Sequence, residues 1–130
     1  MVMRKSQSDH DNMVEYAARF LMAKGFQNVQ ADLPGWSPPA KVTWKNTGQG
    51  HIPDVTGDND GQNLFEVETD DTINIDHTAD QWRLFATYAD QHQAKFWVVV
   101  PQGSRPKAEA RLRQLDLKAS VWEVPLAVHA

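Results

Sequence analysis

The sequence contains no cysteine. Disulfides, thiolate metal sites and cysteine nucleophiles are therefore excluded together. No apolar run approaches the ~20 residues that a membrane-crossing helix needs. The opening MVMRKSQSDHD has basic residues but not the apolar core of a secretory signal. From these absences the expected location is cytoplasmic, with no membrane partner. Neither a P-loop nor a GxGxxG fingerprint occurs, so no nucleotide cofactor is expected. GxSxG is missing, and Ser104 and Ser120 have no evident partner for nucleophilic catalysis. His10, His77, His92 and His129 lack a zinc spacing such as HExxH and are assigned no role. Basic charge is not in excess either: the net charge is −4 and the pI about 5.6. Dedicated nucleic-acid binders are usually basic, although bound divalent cations can invert the field of an acidic site.

What is present fits one soluble globular domain. The chain has 130 residues, 41% of them hydrophobic and 23% charged, enough to bury a core without staples. A single domain over 1–130 is expected, with residues 1–8 as a candidate disordered end. Residues 9–24 read as an amphipathic helix, with Val14, Ala17, Ala18 and Leu21 at helical spacing, Asp9 or Asp11 as cap and Gly25 after the end. A short strand is expected at 26–31, then a proline-rich loop holding Trp36, then a strand at 41–45. Strands at 52–56 and 63–69 flank Asp60-Gly61, a hairpin signal. Residues 76–93 read as a second helix capped by Asp76 or Thr78, and KFWVVVP at 95–101 as a strand buried on both faces. A third helix at 104–115, capped by Ser104, and a strand at 119–124 complete the chain. Its basic residues, Arg105 to Lys118, read as a solvated helix face. The expected architecture is an α/β sandwich around a mixed sheet.

The informative stretch is HIPDVTGDNDGQNLFEVETDD. Alternate side chains of a strand share a face, so Leu64, Glu66 and Glu68 point one way. Two acids on one face of a covered strand are costly unless paired or metal-bound. Asp54 lies one hairpin away and reaches that face if the register is right. A one-residue slip would send it to the other face. Three converging carboxylates make a hard-oxygen site suited to magnesium or manganese. Such an ion supports hydrolysis of a phosphodiester. The opposing reading leaves Glu66 and Glu68 on a solvated strand face.

Pro53-Asp54, eleven intervening residues and then Glu66-Val67-Glu68 resemble the signature of the PD-(D/E)xK restriction-endonuclease-like superfamily, including its small nuclease-like and Holliday-junction-resolvase-like members. The resemblance spans roughly residues 9–101. It implies an α-β-β-β-α-β-α-β sandwich with a central mixed sheet flanked by helices. It also implies Asp54 as the central metal ligand, Glu66 as a second and the Val67 carbonyl as a third. Glu15, on the first helix, matches a further acidic ligand, and Gln81, on the second, a residue touching the site, with Tyr88 on the same helix face. The pattern departs at Glu68, where the family usually has lysine. Glutamate cannot stabilise developing negative charge as lysine does. Lys41 and Lys45, on a candidate neighbouring strand, are the nearest substitutes.

The expectation is therefore a magnesium- or manganese-dependent DNA endonuclease, with Asp54, Glu66, Glu68 and Gln81 as catalytic residues. Lys41, Lys45, His51 and Arg83 are the candidate DNA contacts, Trp36 a candidate stacking residue, and a homodimer the route to cutting two strands. The alternative is an inactive module of the same fold that binds nucleic acid or a protein partner; Glu68 and the acidic charge favour it. A third reading is an interaction domain whose acids are all solvated.

Overall fold

The first amphipathic stretch folds as α1 (Lys5–Ala23), in a computed structural model that describes residues 5–44 and 47–125. Its apolar stripe, Met13, Val14, Ala17, Ala18 and Leu21, is buried. Gly25 closes the helix at φ +88, a left-handed conformation that glycine adopts without a Cβ clash. The helix starts at Lys5 rather than Asp9. Asp9 and Asp11 therefore lie within it instead of capping it; of the candidate disordered end 1–8, residues 5–8 form the first turn of the helix and residues 1–4 lie outside the described residues.

The chain continues through β1 (Gln27–Ala31), β2 (Val42–Thr43), β3 (Gly50–His51), β4 (Val55–Asp58) and β5 (Gln62–Val67). A single 3-10 turn at Asp70–Thr72 leads into α2 (Asp76–His92), β6 (Lys95–Pro101), α3 (Arg105–Leu115) and β7 (Ser120–Val124). Five strands form one sheet in the order β1-β4-β5-β6-β7. β1, β4 and β5 run antiparallel, while β5, β6 and β7 run parallel. The α/β sandwich with a mixed sheet is thus the fold, and its order is α-β-β-β-α-β-α-β once β2 and β3 are set aside.

Those two strands are a departure from expectation. The alternating Lys41–Lys45 segment pairs through only two residues, Val42 with His51 and Thr43 with Gly50, in a separate ribbon. Gly50 is needed there, because a Cβ would collide with the Val42 carbonyl oxygen. The ribbon packs on α2, so Lys41 does not flank the main sheet. Lys45 lies outside the described residues.

The sheet separates two cores. Val55, Phe65, Val67 and Val99 face α1. Leu64, Phe96, Val98 and Val100 face α2 and α3, packing on Trp82, Phe85 and Leu112. The β6 run is buried on both sides, which explains its unbroken apolar sequence. Asp60 at φ +53 and Gly61 at φ +104 turn the β4–β5 hairpin. Asn63 steadies that turn: its Nδ2 donates to the carbonyls of Gly61 at 3.2 Å and of Gly57 and Asn59 at 3.4 Å, and its Oδ1 accepts from Trp97 Nε1 at 3.0 Å. The hairpin register pairs Val55 with Phe65 and Thr56 with Leu64. Continued by one residue, it sets Asp54 opposite Glu66.

Candidate functional site

β4 and β5 end beside each other, and two backbone amides tie their acids together. The Asp54 N–H donates to Glu66 Oε1 at 3.2 Å, and the Val67 N–H donates to Asp54 Oδ2 at 2.8 Å. Asp54, Glu66 and Glu68 are all buried, at 9%, 3% and 5% exposure. Their burial removes the solvated-acid reading of this hairpin. The three acids line a groove of about 310 Å³ bounded by α1 and by the start of α2.

Glu68 is held by the second helix and the turn before it. Its Oε1 accepts from Thr72 Oγ1 at 2.7 Å and Thr78 Oγ1 at 3.4 Å, and its Oε2 from Trp82 Nε1 at 3.2 Å. Thr78 thus serves Glu68 instead of capping α2, which has no side-chain cap. Ser104 likewise sits at the α3 cap position but donates to Asp70 Oδ1 at 2.9 Å.

The sequence reading missed His10. Its Nε2 stands 3.2 Å from Asp54 Oδ2, and its Nδ1 3.3 Å from Asp11 Oδ1. A signal existed: His10 precedes Met13 and Val14 by three and four residues, in line with the buried stripe of α1. Glu15 is one residue past that stripe, roughly 100° around the helix. It is exposed, pairs with Arg19 at 3.3 Å and does not reach the groove.

Electrostatics follow from this packing. Burial, and then the charges of Asp54 and Glu68, push Glu66 well above the usual carboxylate range. Burial also raises Glu68 to about 7, against the bonds from Thr72 and Trp82 that favour its charged form. Burial works against charge on His10, but hydrogen bonding and attraction to Asp54 outweigh it and lift the imidazole to about 9. Among the described residues, no lysine or arginine forms an ion pair with Asp54, Glu66 or Glu68.

The other candidates divide. Gln81 and His77 line the groove. Tyr88 does not: its hydroxyl donates to Gln62 at 2.9 Å, at the opposite end of β5. Arg83 is exposed and pairs with Asp80. Trp36 lies half-buried under Arg19. Lys41 is exposed, and its charge, after burial and His77, helps hold the His51 imidazole below its usual range. The His51 ring meets His77 edge-on, with centroids 5.3 Å apart.

As the side chains stand, no three His, Asp or Glu among the described residues converge as a chelating group. The donor chemistry nevertheless suits a hard divalent ion: buried carboxylates in excess, without a lysine or arginine to neutralise them. No helix among the described residues is long and apolar enough to cross a membrane.

No family model matches the chain, and no curated protein matches it. A solved structure of an EndoMS–dsDNA2 complex superposes on 99% of this chain with 11% identity and a TM-score of 0.48. The chain spans about half of that neighbour, 48% of its length. A likeness this distant assigns no role to any residue here.

Proposed function

We propose that this chain is a divalent-metal-dependent nuclease that hydrolyses DNA phosphodiester bonds at the groove of Asp54, Glu66 and Glu68. The observation that carries this reading is the Asp54–Glu66 pair, two carboxylates buried opposite each other without a lysine or arginine partner. His10 sets one positive charge against the pair, at Asp54; with Glu68 beside it the groove still holds more carboxylates than cations, and burying that excess costs stability unless a further cation joins it. Asp54, Glu66 and the Val67 carbonyl would hold magnesium or manganese. When bound, such an ion polarises a phosphoryl oxygen and lowers the pKa of a coordinated water. The Val67 amide fixes the Asp54 carboxylate, and Glu68, gripped by Thr72, Thr78 and Trp82, keeps α2 against the site so that Gln81 faces the groove. Lys41 and His51, on the ribbon, would meet the DNA backbone.

A second reading, an inactive module that binds nucleic acid or a protein, draws support from Glu68. All three of its donors are structural, and none supplies the positive charge that phosphoryl transfer requires. Cleavage of supercoiled and branched DNA with manganese or magnesium, for wild type and Asp54→Asn, decides between them. Metal-dependent cutting lost in the variant is the expected result. Absence of cutting by both proteins, with no metal binding, would favour the second reading.

A further inference from the structure

The ribbon brings to the flank of the groove a pair of imidazoles that the carboxylate chemistry does not use. His51 is fixed on β3, where Val42 pairs with it and its ring stands edge-on to buried Phe85, with centroids 6.4 Å apart. His77, in the first turn of α2, meets it from the groove wall, with ring centroids 5.3 Å apart and planes at 81°. His10 and His92 engage ring nitrogens with Asp11, Asp54 and the Tyr88 carbonyl. Among the described residues, half-buried His51 and exposed His77 have no such partner, so their ring nitrogens stay open to a ligand. The charges around the pair select its sign. Burial, then His77 and then Lys41 work against a charge on His51, while Asp80 favours it. Asp80 is already engaged by Arg83 at 3.3 Å, and Lys41 forms no ion pair among the described residues. Imidazoles and a lysine that repel one another are stabilised together by an anion with several acceptor oxygens.

We propose that His51 and His77 form a seat for one phosphate of the DNA backbone, on the ribbon flank of the carboxylate groove, and that Lys41 takes the neighbouring phosphate. This rests on the nuclease reading given above and gives it a substrate path, with the strand entering along the ribbon. His77 also shares the groove with His10, Asp54, Glu66 and Glu68, whose acids repel a phosphate placed deeper, so the seat holds the backbone at the rim. An incoming phosphate offsets the repulsion between the two rings and favours their charged forms, so binding takes up protons. DNA affinity therefore rises as pH falls.

The test uses the full chain in EDTA, so that neither metal binding nor cleavage enters. Histidine ring signals are followed by nuclear magnetic resonance across pH, for the protein alone, with inorganic phosphate and with a DNA duplex. Fluorescence anisotropy gives duplex affinity at pH 5.5 and pH 8 for wild type, His51→Gln, His77→Gln and the double variant, and thermal melts confirm that each folds. His10, Glu66 and Glu68 have displaced titrations in the same groove, so the pair is read from the difference between wild type and double variant. On adding duplex, both rings should shift and the His51 midpoint should rise by about one unit, which corresponds to about ten-fold in affinity. Between pH 8 and pH 5.5, wild type should therefore gain about ten-fold more affinity than the double variant, and each single variant should lose most of that gain. At pH 5.5 the double variant should also lose about one unit of salt slope. Rings that shift with inorganic phosphate but not with the duplex would overturn DNA as the ligand. A wild-type pH profile in folded His77→Gln and the double variant, with manganese-dependent cutting by wild type in a separate assay, overturns the seat and leaves the nuclease reading standing. A wild type that neither binds nor cuts DNA overturns both.

Discussion

The indole of Trp82 donates to Glu68 Oε2 at 3.2 Å, joining the second turn of α2 to the end of β5. Trp82 is fully buried at 0% exposure and Glu68 is 5% exposed, so little water competes for this bond. Trp82→Phe should therefore cost about 1–3 kcal/mol, the penalty of an abandoned buried acceptor beside a small loss of packing. Urea denaturation followed by far-ultraviolet circular dichroism measures it. An unchanged midpoint would mean that Glu68 finds another donor.

Stability of the metal-free protein should fall as pH rises. Glu68 goes from 4.5 to about 7 on folding, so the folded state binds its proton more tightly. The stability this lends is complete below about pH 4.5 and is lost as pH passes 7. Glu66 is displaced in the same direction by burial. His10 goes from 6.5 to about 9, so its contribution is present below 6.5 and is lost as pH passes 9. Glu68 and His10 are each worth on the order of 3 kcal/mol. Melts should show a Tm higher at pH 5.5 than at pH 9, and Glu66→Gln should raise the pH 9 value because its amide needs no counter-ion. A Tm that climbs with pH across this range would contradict the burial argument.

Asn63 ties the hairpin turn to Trp97. Asn63→Ala leaves Trp97 Nε1 without its acceptor and removes the side-chain donor to the Gly61 carbonyl, and should cost about 1–3 kcal/mol. Asn63→Asp should be no better, since a carboxylate cannot donate to the Gly61 carbonyl. Chemical denaturation of the two variants checks both statements.

On the DNA-binding proposal, Lys41→Ala should weaken affinity uniformly across sequences. The salt dependence should lose about one unit of slope, as expected of a single phosphate contact. Fluorescence anisotropy at several salt concentrations measures this. An unchanged slope would place the DNA path elsewhere.

Much of the fold was legible because strand and helix periods are local. KFWVVVP announces a strand covered on both faces, and the α1 stripe and the Asp60-Gly61 turn follow from spacing and backbone preference alone. The carboxylate pair was legible only conditionally, since nothing local fixes the register that sets Asp54 opposite Glu66. Helical spacing sets His10 in line with the buried stripe of α1, but the partners of contacts across long separations were not legible. His10 meets Asp54 over 44 residues and Trp82 meets Glu68 over 14, and no periodicity encodes either. Lys41–Lys45 shows the opposite failure. Its alternation resembles a long strand, yet Gly50 permits so close an approach that a two-residue ribbon forms instead.

The hairpin also has a kinetic consequence. Asp54 and Glu66 are 12 residues apart across one tight turn, and such hairpins close within about 1–10 μs. The parallel pairing of β5 with β6 must wait for the crossover through α2, and His10 arrives only when α1 docks. The two acids therefore meet before the elements that bury and neutralise them are in place. Their repulsion belongs to the rate of folding as well as to its end point, and stopped-flow refolding should be faster at pH 5 than at pH 8.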